Sequence, residues 1–486
     1  MKLVAALSTV VLLAGIGPGH AAATSGEAER LAGLFRSYLG PASGAVKVTP
    51  SGEDYDVRLD LTAFLKDSVP AMGVEQHVTM EISPIEWKLT PLGDGRWKLR
   101  EDQALHFSLL TPSLVIEARL DSVKSTAVFD EAVSNFTSDT TEYVGLSVSE
   151  KLVTPQQTVS VRYSADKIVK QASASGTAEA CDSVIHYDIT GFREEIKSPP
   201  TPGGPPGGLS FATAAPSGSS DTHMEALNVA AITDLWRWFA AHPSPAARTA
   251  DQITLRKKLL AALPLFRQVK GVTSFDGFVI ETPGGPVKLR QALAEVEMSG
   301  LSSSARIREH LQASGLRLPI GMVPEWAQGL VPSRFNLDLV LSGFDLLAPA
   351  TLIANTLEPG KTPPIPPSTQ SALGKALFPT GHVTLDIAPS DAKAPFYSIS
   401  TEGRLNAGPA AAASGEGVIR VDGMDPVMEV LRDVPQAAGL LSTFAAAIAA
   451  AQIDEQRRMT WNITKPESGE LLVNGMTLMK IMSLER

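Results

Sequence analysis

Ser164-Ala165-Asp166-Lys167 fits the S-x-x-K tetrad of serine acyl enzymes, in which a lysine amine takes the proton of a serine nucleophile. That chemistry needs a helix to bring the two side chains to one face, and companion S-D-N and K-T-G motifs, which this sequence lacks. A serine hydrolase working through Ser164 is therefore a minor alternative. The histidines at 20, 77, 106, 186, 223, 242, 310 and 382 include no pair at metal-ligand spacing such as i, i+4. There is no HExxH, no GxSxG elbow, no Walker loop and no GxGxxG. Carboxylates cluster at Asp54/Asp56/Asp60, Glu194-Glu195 and Asp422/Asp425. The first set alternates along one strand and reads as a wet face; the last lacks the oxygen ligands of a calcium loop. Cys181 is the sole cysteine, so neither an internal disulfide nor a cysteine zinc site can form, and it reads as a small buried hydrophobe. The expectation is a non-catalytic protein with no cofactor and no metal.

Two apolar segments carry more information. Leu235-Trp236-Arg237-Trp238-Phe239 places three aromatics within four residues, so they cannot share one side of a helix. Exposed aromatics beside an arginine suit an apolar ligand or a membrane interface, and Trp236, Trp238 and Phe239 are the expected contact residues. A helix packed between two layers is the plainer alternative. Val434–Ile453 runs twenty residues without a formal charge and is rich in Ala. Its polar interruptions and weak hydrophobicity favour a buried or groove-packing helix over a membrane span.

The elements that must position these residues are mostly strands. Glu27–Leu39 has Leu31, Leu34, Phe35 and Tyr38 at helical spacing. Strict alternation follows in Tyr55–Leu61, Val78–Ile82, Leu114–Leu120 and Val159–Tyr163, the pattern of antiparallel strands with one buried face. Gly93-Asp94-Gly95 marks a hairpin. Ser198–Asp221 is dense in Pro, Gly and Ser and is expected as a linker; the alternative is a long loop within one sheet. Two capping boxes, Thr222-x-x-Glu225 and Thr249-x-x-Gln252, predict helices starting there. Alternation returns at Phe335–Leu341 and Val383–Ile387, and Lys361–Gln370 forms a second Pro-rich loop. A strand–Gly–helix pattern recurs at Gly300, Gly343 and Gly423, predicting helical segments at Ala305–Leu311, Leu346–Thr356 and Pro426–Arg432. The fold expected is α+β: two β-rich lobes of long curved antiparallel sheet with short helices packed on one face. Its divisions are 1–23 signal peptide, 24–198 N-terminal β-meander lobe, 199–221 linker and 222–486 C-terminal α+β lobe.

The 486 residues carry a net charge of −10 and no basic run, which argues against nucleic-acid binding. Lys2, the apolar Leu3–Ile16 and the small residues Ala21-Ala22-Ala23 have the order of an export signal cleaved near Ala23. The apolar run is short and is followed by Gly17-Pro18-Gly19, so no stable transmembrane span is expected after cleavage. The bacterial style of the signal places the protein in the periplasm.

The early helix, the alternating meander His77–Leu99 and the strand–Gly–Asp–helix segments Phe335–Leu347 and Val418–Leu431 resemble secreted β-rich bacterial envelope proteins, loosely the AsmA-like proteins. The resemblance lies in pattern and carries no functional residue with it. It implies a role in envelope lipid handling. The leading expectation is a periplasmic envelope protein that binds a lipid or other apolar ligand in a sheet groove. The alternative from another class is a scaffold that docks an envelope protein partner and takes no small ligand.

Overall fold

The structure is a computed structural model of the 486-residue chain. It describes residues 22–39, 44–62, 79–154, 157–199, 209–361, 363–408, 412–435, 438–456 and 458–482. Residues 1–21 of the expected signal, with His20, and also His77, lie outside them. The chain divides into two compact units: residues up to Val269 with Ala350–Gln370, and Lys270–Pro349 with Ser371–Arg486.

The first unit contains α1 (Ser25–Leu39), then β1 (Val46–Ser51), β2 (Asp54–Leu59), β3 (Thr79–Ile82), β4 (Ile85–Gly93) and β5 (Arg96–Leu110). It continues through β6 (Leu114–Asp130), β7 (Asn135–Val153), β8 (Thr158–Thr177), β9 (Ala180–Ser198) and β10 (Leu209–Leu227). Three helices follow, α2 (Val229–Ala241), α3 (Pro245–Ala250) and α4 (Gln252–Ala262). β1, β2 and β4 to β10 pair antiparallel in succession, and β3 pairs with β5 beside β4. Alternation puts Tyr55, Val57 and Leu59 of β2, Leu89 of β4, and Trp97 and Leu99 of β5 on one face. The apolar side of α1, with Leu31, Phe35 and Leu39, closes over them. Each such large side chain, fully removed from water, contributes roughly 1.5–3 kcal/mol before entropy. This core covers only the end of the sheet nearest β1; the same face of the longer strands runs on beyond the helix.

Two expectations fail at β10. Residues 209–221, expected in the linker, are strand, and the helix expected from Thr222 begins at Val229 with Asn228 capping Ala231 N–H. β10 pairs with β9 nearly end to end, and this long ladder outweighs the turn-forming composition of the segment. Pro216 is tolerated because it falls opposite Gly191, at a break in the ladder where no pair forms. Thr249 likewise caps nothing: it lies inside α3 and bonds back to Pro245 O, while Asp251 stands at the start of α4.

The second unit is built on β11 (Gln268–Thr282), β12 (Gly285–Ser299), β13 (Ala305–Ser314), β14 (Arg334–Phe344), β15 (Val383–Lys393), β16 (Ser398–Ala407) and β17 (Ser414–Asp422). α5 (Leu347–Thr356) and α6 (Pro367–Leu377) stand between β14 and β15 in sequence, with α6 beginning inside the expected Pro-rich loop. After β17 come α7 (Met424–Arg432), α8 (Ala438–Ala449), the short β18 (Gln452–Ile453), β19 (Met459–Lys465), β20 (Leu472–Val473), β21 (Met476–Thr477) and α9 (Leu478–Met482). From β12 to β17, and on to β19, neighbouring strands again pair antiparallel. Helices follow Gly343 and Gly423 as expected, but Ala305–Leu311 is strand, because both of its edges pair, with β12 on one side and β14 on the other. At Gly423, φ is 80° and a Cβ would lie 2.1 Å from Phe396 O, so the strand-to-helix turn there requires glycine. α7 packs Met424, Val427 and Leu431 onto Val421, and Leu441, Phe444 and Ile448 of α8 join that cluster. Among the described residues no helix is long and apolar enough to cross a membrane.

The chain is thus an α+β protein dominated by antiparallel sheet, with short helices.

Candidate ligand groove in the first unit

Past the cover of α1, the apolar face of β3 to β8 lines a depression. Ile85, Leu105, Phe107, Leu120, Phe136, Leu146 and other apolar side chains form its walls. Its volume is about 150 Å³, and it is partly open to solvent. These side chains reach one face because each strand alternates, and bulges keep the alternation in step across the sheet. One such irregularity falls between Gln103 and Leu105 on β5.

A line of polar residues crosses this apolar surface. The strand register places Glu101 (β5) opposite Ser125 (β6), Ser125 opposite Thr141 (β7), Thr141 opposite Lys170 (β8), and Lys170 opposite Tyr187 (β9). Asp139 stands two residues from Thr141 on the same face. Lys170 and Asp139 are 7% and 8% exposed, and Lys170 Nζ donates to Asp139 Oδ2 at 2.6 Å. Thr141 Oγ1 lies 2.7 Å from Asp139 Oδ1 and 2.9 Å from Ser125 Oγ. Glu101 accepts from Trp87 Nε1 at 3.2 Å and from Gln103 Nε2 at 2.5 Å. Burial holds the Glu101 carboxyl above the usual range, these two donors oppose the shift, and the Asp139 charge adds to it. Burial also raises the Tyr187 phenol, with Asp139 adding to the effect. Further along, Tyr163 donates to Glu150, and burial with that bond raises its phenol as well.

The opposite face near Glu101 is ion-paired. Lys88 reaches Asp56 at 2.8 Å, Arg58 reaches Glu86 at 2.6 Å and Arg100 reaches Asp54 at 3.4 Å. This matches the wet face expected for Asp54 and Asp56. Trp87, Glu101 and Ser125 line depressions on both faces. The β4–β5 pairing stops at Lys88↔Arg100, and the Gln103 side chain fills the gap by accepting from Glu86 N–H at 3.2 Å.

The three expected contact residues lie elsewhere and have structural partners. Trp238 is buried, donates to Asp251 at 3.0 Å and stacks on His242 at 4.3 Å. It therefore has no free face for a ligand or membrane. Trp236 and Phe239 remain exposed, at 44% and 37%. Trp236 Nε1 nevertheless donates to Tyr38 O at 3.0 Å, and the Arg237 guanidinium sits 4.4 Å over the Tyr38 ring and bonds its hydroxyl. The aromatic–Arg run fastens α2 to the end of α1. Burial pushes the Tyr38 phenol up to about 12 against the pull of Arg237.

Ser164 and Lys167 do not meet. The tetrad lies on strand β8 instead of the helix that chemistry needs, and Lys167 pairs with Glu142 at 2.6 Å. Asp422 and Asp425 are exposed, and no group of His, Cys, Asp or Glu among the described residues could hold a metal ion. Cys181 is fully buried against Val133 and Val229.

Sequence reasoning missed Glu101, Asp139 and Lys170. The available signal was a carboxylate in phase with Trp97 and Leu99, a polar residue where alternation calls for an apolar one. Lys170, in phase with Ile168 and Ala172, gave a similar signal, whereas Asp139 gave none because polar residues surround it on both sides. Comparison with protein-family profiles, curated proteins and solved structures returns no match for this chain.

Proposed function

We propose that this is a non-catalytic envelope protein, exported to the periplasm, that holds a lipid or other apolar ligand in the groove of its first unit. The observation that supports this is an apolar strand face left open beyond α1 and crossed by a buried polar line. A solvated sheet face is usually polar, and large open apolar surface marks a binding site. Hydrocarbon would lie along Leu105, Phe107, Leu120 and Leu146, and a polar end would meet Glu101, Ser125 and Thr141. The export signal and the AsmA-like pattern agree with a lipid-related envelope role. The finer architecture, two curved lobes with helices on one face, belongs to the same reading.

Native mass spectrometry with organic extraction tests it, on protein purified from the periplasm without detergent. A co-purifying amphiphile is expected, and Leu146→Arg, which places a charge in the groove wall, should abolish it while circular dichroism stays unchanged. Wild-type protein that is clean of any ligand would remove this reading and turn the search to an envelope protein partner.

A further inference from the structure

The polar line crossing the groove is unbalanced in charge. Lys170 and Asp139 neutralise each other at 2.6 Å. Glu101 has neutral donors only, from Trp87 and Gln103, and the like charge of Asp139 acts on it. The cations that share the depression on its other face do not bond it. Arg100 and Lys88 are committed to Asp54 and Asp56. Lys124 is out of phase with the groove on β6, where its neighbour Ser125 is the residue facing Glu101. His106 and Arg119, which also line the groove, pair with each other across β5 and β6 further along the strands, and Arg119 bonds Asp121 at 2.8 Å. Among the described residues, then, no cation pairs with Glu101.

A carboxylate withdrawn from water without a cation is costly, and whatever brings a positive charge to it recovers that cost. Resting on the groove reading above, we infer that the ligand is an amphiphile whose head carries a protonated amine. Its N–H groups bond Glu101, and the Trp87 indole beside that carboxylate offers a ring face to the cation. An anionic head gains nothing here, since Lys170 is already neutralised by Asp139 and both carboxylates repel it.

Three probes with one hydrocarbon tail separate the two levels of the proposal: decylamine, decanol and decanoate, titrated calorimetrically near neutral pH into the full-length protein. Decylamine is expected to bind at least tenfold tighter than decanoate, with decanol between them. Glu101→Gln, which keeps the side-chain shape, should bring the amine and alcohol affinities together while leaving decanol unchanged. Decanol binding with no preference for the amine would overturn the head-group inference and leave the groove standing. Failure of all three probes would overturn the groove itself. The ranking in wild-type protein decides the matter even if the variant does not fold.

Discussion

Lys170 and Asp139 show how much a single residue depends on its surroundings. Each is nearly inaccessible to water, so each is tolerated only because of the other and the hydroxyl of Thr141. Lys170→Met leaves a buried carboxylate without its cation, and a loss of about 3–5 kcal/mol is expected in urea unfolding. Adding Asp139→Asn should restore most of that loss, because no uncompensated charge remains. Equal stability of the single and double variants would mean that the pair is not coupled. Trp238 makes the opposite point about a residue that looked functional. Its indole is buried, so Trp238→Ala should cost about 3–5 kcal/mol, a stability loss that would be mistaken for a binding defect unless unfolding is measured beside ligand binding.

At the scale of elements, β10 and α7 were decided by different forces. β10 is rich in Ser and Ala, with Pro216 and Gly218 among them, a composition that reads as linker, and it is strand because β9 offers a nearly unbroken ladder to pair with. α7 was visible in sequence because the turn before it needs a left-handed residue where no Cβ fits. Gly423→Ala therefore strains that turn, and a loss of about 1–3 kcal/mol is expected, read as a lower unfolding midpoint. A neutral Gly423→Ala would show that the Phe396 backbone can retreat from the added methyl group.

For the whole molecule, ion pairs set how stability responds to acid. In the second unit Arg308 donates to Asp338 at 2.9 and 2.7 Å and to Glu295 at 3.0 Å, and Lys270 lies 2.9 Å from Glu295. The Arg308 bonds hold the Asp338 carboxyl below its usual range. At Glu295, desolvation pushes upward, but Lys270 and Arg308 outweigh it and the shift is also downward. Carboxyls lowered in the folded state stabilise fully above their unfolded pKa of about 4, and that contribution is lost as pH falls through the lower folded value. The melting temperature should therefore drop as pH falls below about 4, and Asp338→Asn should make that drop shallower. Parallel acid profiles for the two proteins would exclude Asp338 as a contributor.

Local sequence patterns were enough to read the antiparallel character of the sheets, the early helix, the Gly93-Asp94-Gly95 hairpin and the helices after Gly343 and Gly423. All of these follow from local rules: the two-residue period of a half-buried strand, the helical period of an apolar stripe, and the backbone angles open to glycine. Long-range pairing was needed to make 209–227 a strand, to turn Trp238 into packing, and to bring Glu101, Asp139 and Lys170 onto one face. Those facts depend on which strand lies beside which, and on bulges that shift the phase of alternation by a residue. A one-residue shift moves a side chain from solvent to groove, and nothing in the local sequence records it.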